Sequence, residues 1–324
     1  MNQASSLYQE ISQETIGAII QKHFGDRELH EAKLLEGGLF NTTYRVSFGQ
    51  PARKVVLRLG PVNRHLLMAF EQHLMEAEQY VYRLCEAQGI PCSKVLACDT
   101  SKSLIDRDYM IIDFIESIPM SDPNIPKAAK ERLYRQVGQY ARRLHAVTNP
   151  QFGRASQVVR GEAYHDWTDY LLAEAGDIAG RLEKAGGFTS AETQAVLALF
   201  ERHRPLLRQV TTPVLVHTDL WEGNILVRKS GEDYQVAAVI DADRAVFGDV
   251  DFEFASPWMV NESFLEGYGM DLRDFQSKER ERRRKIYLVL YFLIEAYVGY
   301  AEYNNPEQHR RNRELVRGLL EELR

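Results

Sequence analysis

VLVHTDLWEGNILV (214–227) is the stretch that decides how this chain is read. An apolar strand, Val214 to Val216, runs into His217-Thr218-Asp219, and Asn224 follows five residues after the aspartate. A β-hairpin comes next, from Val227 across the turn KSGED to Tyr234–Ile240. Its second apolar strand, AAVI (237–240), ends on Asp241, and Gly248-Asp249 lies a little further on. Polar residues at the ends of buried strands are held rigidly and can be aimed into a cleft. Asp219 can accept the proton of an attacking hydroxyl. Asn224 and Asp241 offer hard oxygen ligands suited to Mg²⁺ on the phosphates of a nucleotide. Phosphoryl transfer needs mainly positioning and charge neutralisation, which this set supplies.

Upstream, the pattern is that of a sheet. Ser12 precedes IGAIIQKHF (16–24), whose isoleucines share one helical face, and Gly25 ends the helix. LLEGGLFNTTYRVSFG (34–49) reads as strand, Gly turn, strand, and RKVVLRL (53–59) as a third strand. Leu66 to Gln88 reads as one long helix, then Lys94–Asp99 and Asp108–Ile115 as two more strands. SIPMSDPNIP (117–126) carries three prolines and should not continue a sheet. We place the boundary between two lobes there, 1–116 and 117–324. The second lobe reads as helical over 132–145, 165–185, 190–208, 282–303 and 306–323, interrupted by the hairpin. The fold class is therefore α+β, with an antiparallel N-terminal sheet carrying one long helix and a mainly helical C-terminal lobe.

Composition narrows the classes. The 324 residues are 44% hydrophobic and 27% charged, with a net charge of −6, which argues against disorder and against a dedicated nucleic-acid binder. The basic run KERERRRK (278–285) alternates with acids and reads as a solvated helix face. Cys85, Cys92 and Cys98 match no zinc or CxxC spacing, and suggest a reducing, cytoplasmic setting. The opening MNQASSLYQEISQET is too polar for a signal peptide. The most apolar window, Ile286 to Val298, is too short to span a membrane and holds Glu295. No nucleic-acid or membrane partner is expected, and the chain is expected to be a monomer or a homodimer.

HxDxxxxN followed by a hydrophobic-Asp strand resembles the catalytic and metal loops of the protein-kinase-like fold. The form LVHTDLWEGNILV…VIDADRAVFGD is most similar to the aminoglycoside phosphotransferase and choline kinase-like family, which also includes fructosamine and homoserine kinases. The resemblance covers most of the chain. It extends to GGLFNTTYRV (37–46), VVLRL (55–59), and a Leu144-His145 pair before Phe152-Gly153. It implies a two-lobed kinase fold and a small-molecule kinase with ATP or GTP as co-substrate and Mg²⁺ as cofactor.

Roles follow residue by residue from the resemblance. Asp219 is the catalytic base, His217 braces the loop that carries Asp241, and Asn224 and Asp241 hold Mg²⁺. Asp249 anchors the following segment through backbone amides. Gly37 to Thr42 fold over the phosphates, with Gly38, Asn41 and Thr42 as donors. Arg58 takes the place of the usual strand lysine and keeps the charge with a longer, planar fork. A helix glutamate pairs with it, Glu76 in preference to Glu78. Ile112, Asp113, Phe114 and Ile115 form the hinge that binds the base. Thr218 stands where glycine is common, a change of little effect if its φ is ordinary, and Glu253 stands where aspartate is common.

The acceptor is expected to be a small alcohol, amine- or sugar-bearing. Its candidate contacts are Trp221, Glu222, Trp258, Glu262 and Glu295, with the Asp166-Trp167-Tyr170 cluster. Glu295 either bonds a nearby arginine or faces a cationic acceptor. Trp221 resembles the fructosamine-kinase form of the loop. Resistance and metabolic roles both fit. A protein kinase fits poorly, because no Ala-Pro-Glu segment follows Asp241. A nucleotide-binding protein without turnover remains the further alternative.

Overall fold

A computed structural model describes residues 5–35, 38–231, 233–256 and 258–324. The N-terminal sheet is antiparallel, in the order β1-β2-β3-β5-β4, built from Leu29–Leu34, Thr42–Phe48, Arg53–Leu59, Val95–Asp99 and Tyr109–Asp113 for β1 to β5. Helix α1 (Gln13–Phe24) is capped by Ser12, whose Oγ accepts from Thr15 N at 3.1 Å. Its Ile16, Ile19 and Ile20 pack on the sheet face formed by Tyr44, Val46, Val55 and Leu57. Strand alternation turns the next residues over. Thr43 pairs with Arg58, and both line the cavity on the other face of the sheet.

Helix α2 (Leu74–Ala87) packs Met75 on Met110 and Ile112 of that face. Its Ala77, Val81 and Cys85 enter a second core shared with α3 (Lys127–Leu144). The chain then reaches β6 (Ile118–Pro119), and helix α4 (Ala155–Arg160) follows β7 (Gly153–Arg154). Helices α5 (Trp167–Lys184), α6 (Ser190–Arg202) and α7 (Arg204–Leu207) lead into β8 (Val214–Val216). The hairpin β9 (Ile225–Ser230) and β10 (Asp233–Val239) precedes β11 (Val246–Gly248). Helices α8 (Val250–Ala255), α9 (Glu262–Tyr268), α10 (Leu272–Phe275), α11 (Lys278–Tyr297) and α12 (Pro306–Glu322) complete the chain, with a π turn at Val298–Glu302 after α11. Among the described residues, no helix is long and apolar enough to cross a membrane.

Several expectations are corrected. The first strand ends at Leu34 rather than beginning there. It is a sheet edge, exposed or half-buried along its length, so its alternation is weak. The segment 66–88 is not one helix: two 3₁₀ turns precede α2. In the second turn Glu71 Oε2 accepts from Met68 N at 3.0 Å, and Glu71 N donates to the Met68 carbonyl at 3.0 Å. The proline-rich segment does enter a sheet, because β6 pairs with β9. The basic run 278–285 is only partly solvated. Arg280, Arg283 and Arg284 all reach Asp251, and Arg283 Nε also donates to Asp249 at 2.8 Å.

One glycine is required by close approach. A Cβ on Gly248 would lie 2.5 Å from the indole of Trp167. That indole is buried, donates to Tyr287 Oη at 2.9 Å, and holds β11 against α5 and α11. Trp167 and Tyr170 are therefore core, and Asp166 caps α5, so this cluster does not face the cavity.

Candidate active site

A cavity of about 1110 Å³ runs between the sheet and the helical part. It is lined by Arg58 from β3, by Ile112 to Ile115 at the end of β5, by Asp219 and Asn224 before β9, and by Asp241 after β10. Three loops and two strands distant in sequence thus converge on one space.

The loop after β8 is built around His217. Its Nδ1 accepts from Asp219 N at 3.3 Å, and its Nε2 lies 3.1 Å from the carbonyl of Ile240. That pairing places the proton on Nε2, so a neutral imidazole ties the Asp219 loop to the residue before Asp241. Asn224 Nδ2 donates to Asp219 Oδ2 at 2.8 Å and to the Asp219 carbonyl at 2.9 Å. Both bonds fix the carboxylate and leave the Asn224 amide oxygen as acceptor. Burial pushes Asp219 up to about 6, against the pull of the Arg244 guanidinium and the Asn224 hydrogen bond.

Thr218 has φ +71, in the left-handed region that disfavours a β-branched residue. The condition under which the change from glycine would have little effect, an ordinary φ, is therefore not met. The conformation is held by two bonds. Thr218 Oγ1 donates to the Arg244 carbonyl at 3.0 Å, and Thr218 N donates to Glu253 Oε1 at 3.2 Å. Glu253 Oε2 accepts from His217 N at 2.7 Å. Burial opposes its charge, but His145, 3.5 Å away, and the His217 amide outweigh it and hold the carboxyl below its usual range. Glu253 thus grips two consecutive amides of the loop.

Across the cavity, Arg58 spans two carboxylates. Nη1 is 2.5 Å from Glu78 Oε1, and Nη2 is 2.6 Å from Asp241 Oδ1. Tyr82, one helical turn after Glu78, donates to Glu78 at 2.6 Å and accepts from Asp241 N at 3.2 Å. The choice of Glu76 is corrected. Glu76 lies on another face of α2, where it accepts from Thr100 Oγ1 at 3.1 Å. Asp243, two residues after Asp241, also lines the cavity, and burial with the neighbouring Glu78 and Asp241 charges pushes it up to about 8.

The remaining predicted residues divide. Gly38, Asn41, Trp221, Trp258 and Glu295 line the cavity. Gly37 lies outside the described residues. Thr42 is turned to the α1 side, where it accepts from Arg107 Nη2 at 2.9 Å and donates to the Gln9 carbonyl, so it is no phosphate donor; Thr43 takes the cavity face. Glu222 is drawn away by Lys130 at 2.8 Å and Tyr134 at 2.6 Å. Glu262 sits exposed in the first turn of α9, off the cavity. Glu295 accepts from Gln308 Nε2 at 2.9 Å rather than from an arginine. Asp249 is buried behind the site. It accepts one amide, Asp251 N at 3.1 Å, and its other oxygen takes Arg283 and Tyr287.

Sequence reading missed Thr43, Tyr82, Asp243, Arg244 and the grip of Glu253. The two-residue period of β2 and the i, i+4 spacing of Glu78 and Tyr82 were available signals for the first two.

Among the described residues, no three His, Cys, Asp or Glu side chains converge as a metal cage. The pair Asn224 and Asp241, with Asp241 40% exposed to the cavity, fits a cation that takes its other ligands from phosphate and water, as Mg²⁺ does.

Comparison with known proteins agrees with this architecture. A putative fructosamine-3-kinase from Thermobifida fusca superposes with a TM-score of 0.67 at 15% identity, covering 96% of this chain and 100% of that one. The GDP and kanamycin complex of the aminoglycoside phosphotransferase APH(2")-IIia gives 0.64 at 14% identity, covering 95% and 98%. A ternary complex of APH(4)-Ia with AMP-PNP and hygromycin B gives 0.64 at 18%, covering 95% and 98%. At these identities the likeness establishes the protein-kinase-like fold. A curated relative, acyl-CoA dehydrogenase family member 10 of Mus musculus, is 24% identical over 221 residues, 65% of this chain but 18% of that protein. Residues 31–302 match the family described as APH, phosphotransferase enzyme family, and the chain belongs to that family.

Proposed function

We propose that the chain transfers the γ-phosphoryl group of ATP or GTP to a hydroxyl of a small molecule. The observation that carries this reading is the convergence of Asp219, held by Asn224, with the Arg58–Asp241 pair in one cavity. The hinge 112–115 would hold the base, and Arg58 with the backbone from Gly38 would hold the phosphates. Asn224 and Asp241 would hold Mg²⁺, which when bound neutralises phosphate charge. Asp219, with its carboxyl near 6, is mostly ionised at pH 7 and can take the acceptor proton. The acceptor oxygen bonds to the γ-phosphorus as the bond to the bridging oxygen breaks. The electron pair of that bond leaves on the nucleoside diphosphate, and the hydroxyl proton passes to Asp219.

The test is nucleoside diphosphate release from ATP and from GTP, with water and then with a set of alcohols as acceptors, for wild type and Asp219→Asn. The reading predicts that Asp219→Asn still binds nucleotide and loses release at least a hundredfold. Equal release by the two proteins contradicts it.

A further inference from the structure

The cavity that would receive the acceptor does not have the walls that a polycation needs. Of the three glutamates expected there, Glu222 and Glu262 are turned elsewhere, and among the described residues lining the cavity Glu295 is the one glutamate. Its carboxyl is half-buried and raised above the usual range by desolvation, which favours the neutral form, and Gln308 already occupies one oxygen. The aspartates of the lining are Asp219, Asp241 and Asp243 of the reacting end and Asp113, which Arg53 holds at 3.0 Å.

A cation stands in the same space. Arg244 lines the cavity and is fixed on buried Glu71 at 2.8 Å. Its guanidinium lies 5.6 Å from the Phe40 ring centre and 5.8 Å from that of Phe70. Its backbone carbonyl accepts from the hydroxyl of Thr218, the residue before Asp219, at 3.0 Å, and Asp219 lines the same cavity. An ammonium-rich acceptor bound in this cavity would share it with this charge.

The rest of the wall is aromatic. Trp221 is 43% exposed and Trp258 is 60% exposed, and both line the cavity with Phe252, Tyr291 and Tyr303. Trp258 Nε1 donates to Tyr291 Oη at 3.3 Å, so the two rings are presented together. Two indoles left open to water beside a polar reacting centre suit an occupant with a flat or apolar body that covers them.

We infer that the acceptor is an alcohol with an aromatic or apolar body and at most one cationic group, and that polycationic amino sugars are rejected. The inference rests on the phosphotransfer reading above and deepens it.

The experiment uses the full chain with Mg²⁺ and nucleotide, in three steps. Thermal-shift titration with nucleotide alone is the control, and its failure overturns the phosphotransfer reading, not the acceptor class. Kanamycin, benzyl alcohol and 4-(hydroxymethyl)benzylamine are then titrated over the nucleotide complex. The two aryl alcohols should bind at millimolar concentration, and kanamycin should bind at least tenfold more weakly than either. Trp258→Ala and, separately, Trp221→Ala should each weaken aryl binding at least fivefold, while Glu295→Gln should change it less than twofold. Kanamycin binding tighter than the aryl alcohols and lost in Glu295→Gln overturns the inference, as does binding of no probe by a protein that binds nucleotide.

Discussion

Arg58 Nη2 stands 2.6 Å from Asp241 Oδ1, and through this contact the N-terminal sheet grips the loop after β10. The other end of the same guanidinium holds buried Glu78. A lysine has one ammonium and cannot serve both carboxylates as a fork does. Arg58→Met leaves Glu78 charged and buried without its partner and should cost about 3–5 kcal/mol. Arg58→Lys should cost about 1.5–3 kcal/mol, the scale of one hydrogen bond to a charged group. Glu76→Gln should stay within about 0.5 kcal/mol, as a change away from this network. Urea denaturation at pH 7 measures all three, and a Glu76→Gln loss matching that of Arg58→Met would refute the pairing.

Thr218 carries two opposing effects. Its left-handed backbone costs roughly 1–2 kcal/mol for a non-glycine residue. Its hydroxyl bond to the Arg244 carbonyl returns about 1 kcal/mol. Thr218→Gly relieves the first and loses the second, so stability should move by less than about 1 kcal/mol. Thr218→Val keeps the strain, loses the bond, and should cost about 1–2 kcal/mol. Valine as stable as glycine at this position would show that the φ is not strained.

Glu253 accepts from the amides of both His217 and Thr218, so it sets the loop from which Asp219 projects. A glutamine keeps one acceptor oxygen and replaces the other with a donor. Glu253→Gln should leave nucleotide binding intact and lower kcat about ten- to a hundredfold, the scale of a small displacement at the reacting centre. An unchanged kcat would remove Glu253 from the positioning of Asp219.

Glu192, which joins α6 to α12, should be one source of acid sensitivity. Arg313, at 2.7 Å, holds its carboxyl far below the usual range, helped by the amide and hydroxyl of Thr189 and by Arg317, against burial. A carboxyl depressed on folding adds stability above its unfolded value, about 4.3, and loses it as pH falls below that value. The urea midpoint should therefore drop between pH 5 and pH 3, and Glu192→Gln should be less stable at pH 7 and show a flatter drop. Parallel curves for the two proteins would exclude Glu192 as a source.

The sheet and the placing of His217, Asp219, Asn224 and Asp241 around one cavity were legible because their signals are local. The apolar run of β3 is flanked by basic residues, and the order His217, Asp219, Asn224, Asp241 fixes one loop and one strand end. Other features depended on packing. Glu76 and Glu78 differ by which helix face meets Tyr82 and Arg58, and the preceding segment, which breaks into 3₁₀ turns, gave no register for it. Glu222 is adjacent to Trp221, yet Lys130 and Tyr134 of α3, about ninety residues earlier, turn it away. The basic run 278–285 looked solvated because Asp249 and Asp251, its partners, lie some thirty residues before it.

The most direct test of the phosphotransfer account is a thermal-shift titration with ATP and GTP, with and without Mg²⁺, for wild type and Asp241→Asn. A nucleotide at a hundred times its Kd should add about 2.7 kcal/mol to the folded state. The account predicts a Mg²⁺-dependent rise in Tm for wild type that Asp241→Asn loses. No rise with either nucleotide, or the same Mg²⁺-dependent rise in Asp241→Asn, would contradict it.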